Sequence, residues 1–112
     1  MRVRISTRAE DDLARIYAHL LTCAGSEVAE RFRLKVEKAF ATIGRHPELG
    51  PQPSWATRHR TLRFWVISRT SYIVYYEHQG DEVSIERVLH GRRDVHRIIE
   101  QRGEEPEDET AS

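Results

Sequence analysis

Apolar positions recur every three or four residues in the first half of the chain, then alternate or bunch in the second half. Val3 and Ile5 flank Arg4 in a short extended start over residues 2–6. Ala9, Leu13, Ile16, Tyr17 and Leu20 follow as one helical stripe. Thr7 and Glu10 fit a capping box at its head: the Thr7 hydroxyl can bond the Glu10 amide, and the Glu10 carboxylate can reach back. Asp11 and Asp12 fall in the first turn, where the helix dipole favours anions. Gly25 predicts the stop and Ser26 the cap of a second helix. That helix runs from about Glu27 to Ile43 on Ala29, Phe32, Val36, Ala39, Phe40 and Ile43. So short a connection makes the pair an antiparallel hairpin.

Gly44 and Pro47 end the second helix, and residues 48–58, with Gly50, Pro51 and Pro53, form a loop. Strands are expected over Arg60–Val66, Tyr72–His78 and Glu82–Leu89, the last two joined through Gln79-Gly80-Asp81. The final strand breaks its alternation. Val83 and Ile85 share a face, Arg87 then takes that face, and Val88 is apolar on the other. A bulge, or burial on both faces near Val88-Leu89, accounts for this. Asp94 to Gln101 suits a short terminal helix with Val95, Ile98 and Ile99 as its contacts. The order is β-αα-βββ(α), an α+β fold: an antiparallel sheet with the N-terminal helical hairpin packed on one face. The other face is left for solvent or a partner.

Composition sharpens the picture at the ends. A chain of 112 residues forms one domain, expected over residues 1–102. Residues 103–112 hold five acids and no base, an acidic tail expected to be disordered. Without it, 18 basic residues face 13 acidic ones, so a formal charge of zero conceals a body of +5. Sixteen of the 18 are Arg, a side chain suited to bidentate grip on carboxylate or phosphate. Such a body favours an acidic partner or nucleic acid. The single cysteine, Cys23, excludes an internal disulfide and fits a reducing compartment. No signal peptide or apolar membrane span is present, so the cytoplasm is the expected location. His59, His78, His90 and His96 lack compact ligand spacing, so neither a metal nor a cofactor is expected.

Four segments carry a resemblance. They are Ser6-Thr7-Arg8-Ala9-Glu10-Asp11-Asp12-Leu13, His46-Pro47-Glu48-Leu49-Gly50, Tyr72-Ile73-Val74-Tyr75-Tyr76 and Val88-Leu89-His90-Gly91-Arg92-Arg93-Asp94. In this order the chain resembles the ParE/RelE superfamily, the toxic halves of bacterial type II toxin–antitoxin (plasmid stabilisation) pairs, and is nearest its ParE branch. The resemblance implies a cognate antitoxin, ParD-like or related, that wraps the toxin. It implies DNA gyrase as the target for the ParE branch and ribosome-bound messenger RNA for the RelE branch. The branches share a fold, so fold alone does not choose between them.

Cleavage of RNA needs a base for the 2′-hydroxyl, cations for the phosphate and an acid for the leaving oxygen. RelE-type enzymes carry basic side chains on the sheet and often a late tyrosine. Here the two lysines, Lys35 and Lys38, fall on the second helix, and no tyrosine follows Tyr76. The best nuclease set is Arg63, Glu77, His90 and Arg92, with His90 able to titrate near neutrality. His90 equally suits a structural bond at the strand exit. The sequence therefore favours a gyrase inhibitor that acts by binding, with Arg92 and Arg93 as target contacts and no catalytic residue. Arg93 also suits a pair with Asp94. Tyr72, Tyr75 and Tyr76 suit base stacking or cross-strand packing. Trp55 in the loop and Trp65 on the first strand after it are the candidate antitoxin anchors.

Overall fold

The computed structural model describes residues 2–55, 61–92 and 98. Along it run β1 (Arg2–Ile5), α1 (Thr7–Ala24), α2 (Ser26–Arg45), β2 (Leu62–Val66), β3 (Tyr72–Gln79) and β4 (Glu82–His90). The strands form one sheet in the order β1-β4-β3-β2. β2, β3 and β4 are antiparallel, as expected. β1 joins β4 in parallel, with Val3 opposite Val83 and Ile5 opposite Ile85, so the sheet is mixed rather than wholly antiparallel. A tight turn dictates strand direction between β3 and β4. β1 reaches β4 only through the helical hairpin and the other strands, and such a crossover leaves its direction to packing.

The helix caps differ from expectation by one residue. Ser6, not Thr7, caps α1: its hydroxyl accepts the Ala9 N–H at 3.0 Å and donates to the Glu86 carbonyl at 2.9 Å. One side chain thus starts the helix and ties it to β4. Gly25, at φ +98°, ends α1 by donating its N–H to the Leu20 carbonyl at 3.0 Å. It also heads α2, which has no side-chain cap, and Ser26 is already helical. A positive φ suits glycine.

Both helices pack on one face of the sheet. Phe32, Val36 and Ile43 of α2 meet Val74, Tyr76, Val83, Ile85 and Val88 in the main core. Burying each large apolar side chain contributes about 1.5–3 kcal/mol. The opposite face is not bare. Leu62, Tyr75 and Leu89 are buried there, with Trp55, Phe64, Ile73 and Ile98 packed against them.

The expected break in β4 combines a bulge with burial of Val88 and Leu89 on opposite faces. Tyr75 pairs with Arg87 and Tyr76 with Ile85, which leaves Glu86 as the extra residue. This bulge resets the alternation. Val83, Ile85 and Val88 all reach the helix-side core, and Leu89 reaches the other cluster.

The loop before β2 is held by its own carbonyls. The Tyr76 hydroxyl donates to the Pro47 carbonyl at 2.8 Å and accepts the Gly50 N–H at 3.0 Å. A Cβ on Gly50 would strike that hydroxyl and come within 2.5 Å of the Phe64 carbonyl, so His-Pro-Glu-Leu-Gly must end in glycine. Arg63 donates through Nη1 to the carbonyls of Gly50 at 2.7 Å and Glu48 at 3.1 Å. The Phe64 N–H donates to the Pro51 carbonyl, so the loop covers part of the open edge of β2. The expected terminal helix and acidic tail fall outside the described residues, apart from Ile98, which is helical and half-buried.

Candidate functional site

β4 leaves the sheet at His90, opposite Tyr72 at the head of β3. The two rings meet edge to face, centroids 5.2 Å apart. Tyr72 in turn meets Phe32 of α2 edge to face at 5.4 Å. His90 Nδ1 accepts the Arg92 N–H at 3.0 Å, which leaves the proton of a neutral ring on Nε2. The Gly91 N–H donates to the Ser71 carbonyl at 2.7 Å. The exit is thus a fixed turn. From it the Arg92 side chain stands exposed, with no ion pair among the described residues. Arg93 lies outside the described residues.

Behind the exit, Asp12 joins α1 to β4. It is 2% exposed, the sole buried charged side chain among the described residues. Arg87 grips it twice, Nε to Oδ2 at 2.8 Å and Nη2 to Oδ1 at 2.9 Å. Oδ2 also accepts the Val88 N–H at 3.0 Å, and Oδ1 accepts from Arg15 Nη2 at 2.9 Å. β1 pairs with β4 only as far as Ile85, so Asp12 supplies the acceptor that strand pairing no longer offers to Val88.

Two concavities share the Tyr72–His90 wall. One, of about 300 Å³, is lined by Asp12, Arg15, Ile16 and His19 of α1 together with the end of β4. The other, also about 300 Å³, opens between α2 and the β2–β3 turn, where Arg31, Lys35 and Arg69 line it. A third, more apolar groove of about 380 Å³ runs between α1 and α2 over Leu13, Ala14, Tyr17, Phe32 and Val36. Arg33 borders that groove and is held by Glu30 and Glu37.

The four nuclease candidates are not brought together. His90 and Arg92 lie at the Tyr72 end of β3, whereas Glu77 pairs with Leu62 and Ser84 and Arg63 pairs with Tyr76. Five strand residues, about 16 Å, separate Tyr72 from Glu77. Arg63 is engaged by the loop carbonyls, and both lysines lie on α2. Of the two candidate anchors, Trp55 packs 6.3 Å from the Tyr75 ring, centroid to centroid, and Trp65 leans on the helix-side core. Each is half-buried. Tyr75 and Tyr76 are core residues, so the stacking reading of the strand applies at most to half-buried Tyr72. No group of three or more His, Cys, Asp or Glu among the described residues could hold a metal.

Sequence reasoning missed the Asp12–Arg87 pair. The signal was present, since Asp12 stands three residues after Ala9 and four before Ile16, on the apolar stripe of α1. A carboxylate there needs a buried cation, and Arg87 interrupts the apolar pattern of β4.

A helical hairpin laid on one face of a small mixed sheet, with a basic turn at the exit of its last strand, defines a small α+β protein of the RelE/ParE type. The family model for the ParE toxin of the type II toxin–antitoxin system, parDE, matches residues 3–95, and the chain belongs to that family. Among solved structures, the chromosomal ParDE TA system from P. aeruginosa is similar, with a TM-score of 0.68 over 80% of this chain and 95% of that one. At 19% identity that likeness is one of fold. A search of curated proteins finds no match.

Proposed function

We propose that this ParE-family chain inhibits DNA gyrase by binding and is neutralised by a cognate ParD-like antitoxin. One observation carries the choice of target. The residues an RNA-cleaving site would need stand at opposite ends of β3, and Arg63 is engaged in holding a loop. The exit turn, by contrast, offers a preformed cationic contact at Arg92, with Arg93 beside it in sequence. Because the backbone there is already bonded, little ordering opposes binding. The apolar groove between α1 and α2 suits an amphipathic antitoxin helix, with Trp55 and Trp65 as further anchors. Both partners would be met in the cytoplasm; no helix among the described residues is long and apolar enough to cross a membrane.

The test is direct. Purified protein should block gyrase supercoiling and leave ribosome-bound messenger RNA intact. Cleavage of messenger RNA at set codon positions, with normal supercoiling, would overturn the reading in favour of a RelE-like endoribonuclease.

A further inference from the structure

The cations on this surface are unevenly matched. Arg4 pairs with Glu82, Arg33 with Glu30 and Glu37, and Arg15 and Arg87 share Asp12. The notch between α2 and the β2–β3 turn is different. Arg31, Lys35 and Arg69 line it, His90 closes one side, and no carboxylate is among its lining residues. None of the three cations forms an ion pair among the described residues. Arg69 is also the sole non-glycine residue at positive φ among them, at +60°. That conformation is strained for a side chain with a Cβ and relaxed for glycine, so the turn holds a long cation at a cost to its backbone. Leu20, Val28, Phe32 and the Tyr72 ring make up the apolar part of the wall, and Thr70 and Ser71 are uncharged polar residues beside them.

We propose that this notch is a carboxylate-binding site and that its occupant, in the free protein, is the chain's own segment Glu104–Glu109. That segment, Glu-Glu-Pro-Glu-Asp-Glu, holds all five acids that bring a +5 body to zero. Its Pro106 suits the apolar wall, as its carboxylates suit the cations. The length of chain is sufficient. Ile98 packs on the far face of the sheet, and Glu104 and Glu109 follow it by six and eleven residues. Those intervals reach up to about 20 and about 38 Å, enough to round the end of a sheet that packs about 10 Å from its neighbouring layer. Tethering gives the segment an effective concentration on the order of millimolar, so even a weak site is filled in cis. The inference is independent of the gyrase reading.

The test compares amide spectra of the full chain with those of a full-length variant carrying Glu104→Gln, Glu105→Gln, Glu107→Gln, Asp108→Asn and Glu109→Gln. The differences should centre on Arg31, Lys35, residues 69–72 and His90. Raising salt to about 1 M, where screening acts within about 3 Å, should move the wild-type spectrum towards the variant's. The hexapeptide Glu-Glu-Pro-Glu-Asp-Glu, added at millimolar concentration to the variant, should restore the wild-type positions. Adding Arg69→Ala or Arg31→Ala to the variant should weaken that binding about twofold to fivefold, as loss of one exposed ion pair does. Identical wild-type and variant spectra at the notch would overturn the proposal. So would identical spectra combined with binding of the hexapeptide, since the site would then take acids from another chain. Differences centred elsewhere, for example at Arg2 and Arg4, would overturn the site assignment.

Discussion

Asp12 and Arg87, 75 residues apart in sequence, form a two-point ion pair that fastens the first helix to the last strand. Both are shielded, with side chains 2% and 11% exposed. Removing one partner leaves a buried charge uncompensated, which costs about 3–5 kcal/mol. Urea denaturation of Asp12→Ala and of Arg87→Ala should each show a loss of that size. The double variant should lose less than the sum, because each single change already breaks the pair. Arg15 touches the same carboxylate, but its side chain is 65% exposed, so Arg15→Ala should cost about 1 kcal/mol or less. Equal losses for Arg15→Ala and Arg87→Ala would mean that the buried pair does not dominate.

Gly50 and Tyr76 fix the loop ahead of β2 by steric exclusion as well as by hydrogen bonding. Gly50→Ala should lower stability by about 1–3 kcal/mol, the range for overpacking a filled site. Gly80 tests the alternative that any glycine change is harmful. It has open space around its Cβ position but a φ of +60°. Gly80→Asn should therefore cost about 1 kcal/mol or less, since Asn bears that conformation better than other side chains do. Thermal melts of the two variants separate a packing constraint from a conformational one.

Tyr76 adds a pH signature. Burial pushes its phenol above the ordinary value near 10, against the lowering effects of the Gly50 N–H bond and of Arg63. Burial also raises Tyr75. A raised folded value means the folded chain keeps a proton that the unfolded chain has lost. The associated stability is fully present below about pH 10 and declines as pH climbs through the folded values. Tyr76→Phe should cost about 1–3 kcal/mol at pH 7, because the Pro47 carbonyl and Gly50 N–H lose their partner. It should also flatten the alkaline decline. Stability measured from pH 7 to 11 in both proteins checks this, and parallel curves would refute the assignment.

These positions show how far the sequence was legible. The helical stripes of α1 and α2 and the run of β3 are local patterns, and each element forms within a few residues of its expected bounds. The parallel placement of β1 depends on packing between residues some 80 apart, which no local pattern encodes. The helix cap moved from Thr7 to Ser6 because Ser6 has a second bond, to Glu86, that only the assembled fold supplies. By sequence, Arg63 is a nuclease candidate on the first strand after the loop. Its carbonyl partners at Glu48 and Gly50 come from a loop whose path the sequence left open. The exposure of Arg92 follows from its place in a turn after the last strand, which needs little tertiary context.

Arg92 also offers the sharpest separation of folding from action. Its backbone N–H bonds His90 Nδ1, and any non-proline residue retains that bond. Its side chain is exposed and has no ion pair among the described residues, so Arg92→Ala should change stability by about 0.5 kcal/mol or less. If the exit turn meets the target, losing a charge-assisted contact there should cost about 2 kcal/mol or more of binding. That corresponds to roughly a thirtyfold weaker effect, since every 1.4 kcal/mol is tenfold. The groove between the helices that we propose for the antitoxin lies on other residues, so antitoxin affinity should hardly move. Growth arrest, supercoiling inhibition, thermal melting and antitoxin titration of Arg92→Ala test all three expectations together. A variant that melts normally, binds antitoxin normally and arrests growth less well supports a target contact at the exit. Full toxicity would reduce the exit to a structural turn held by His90.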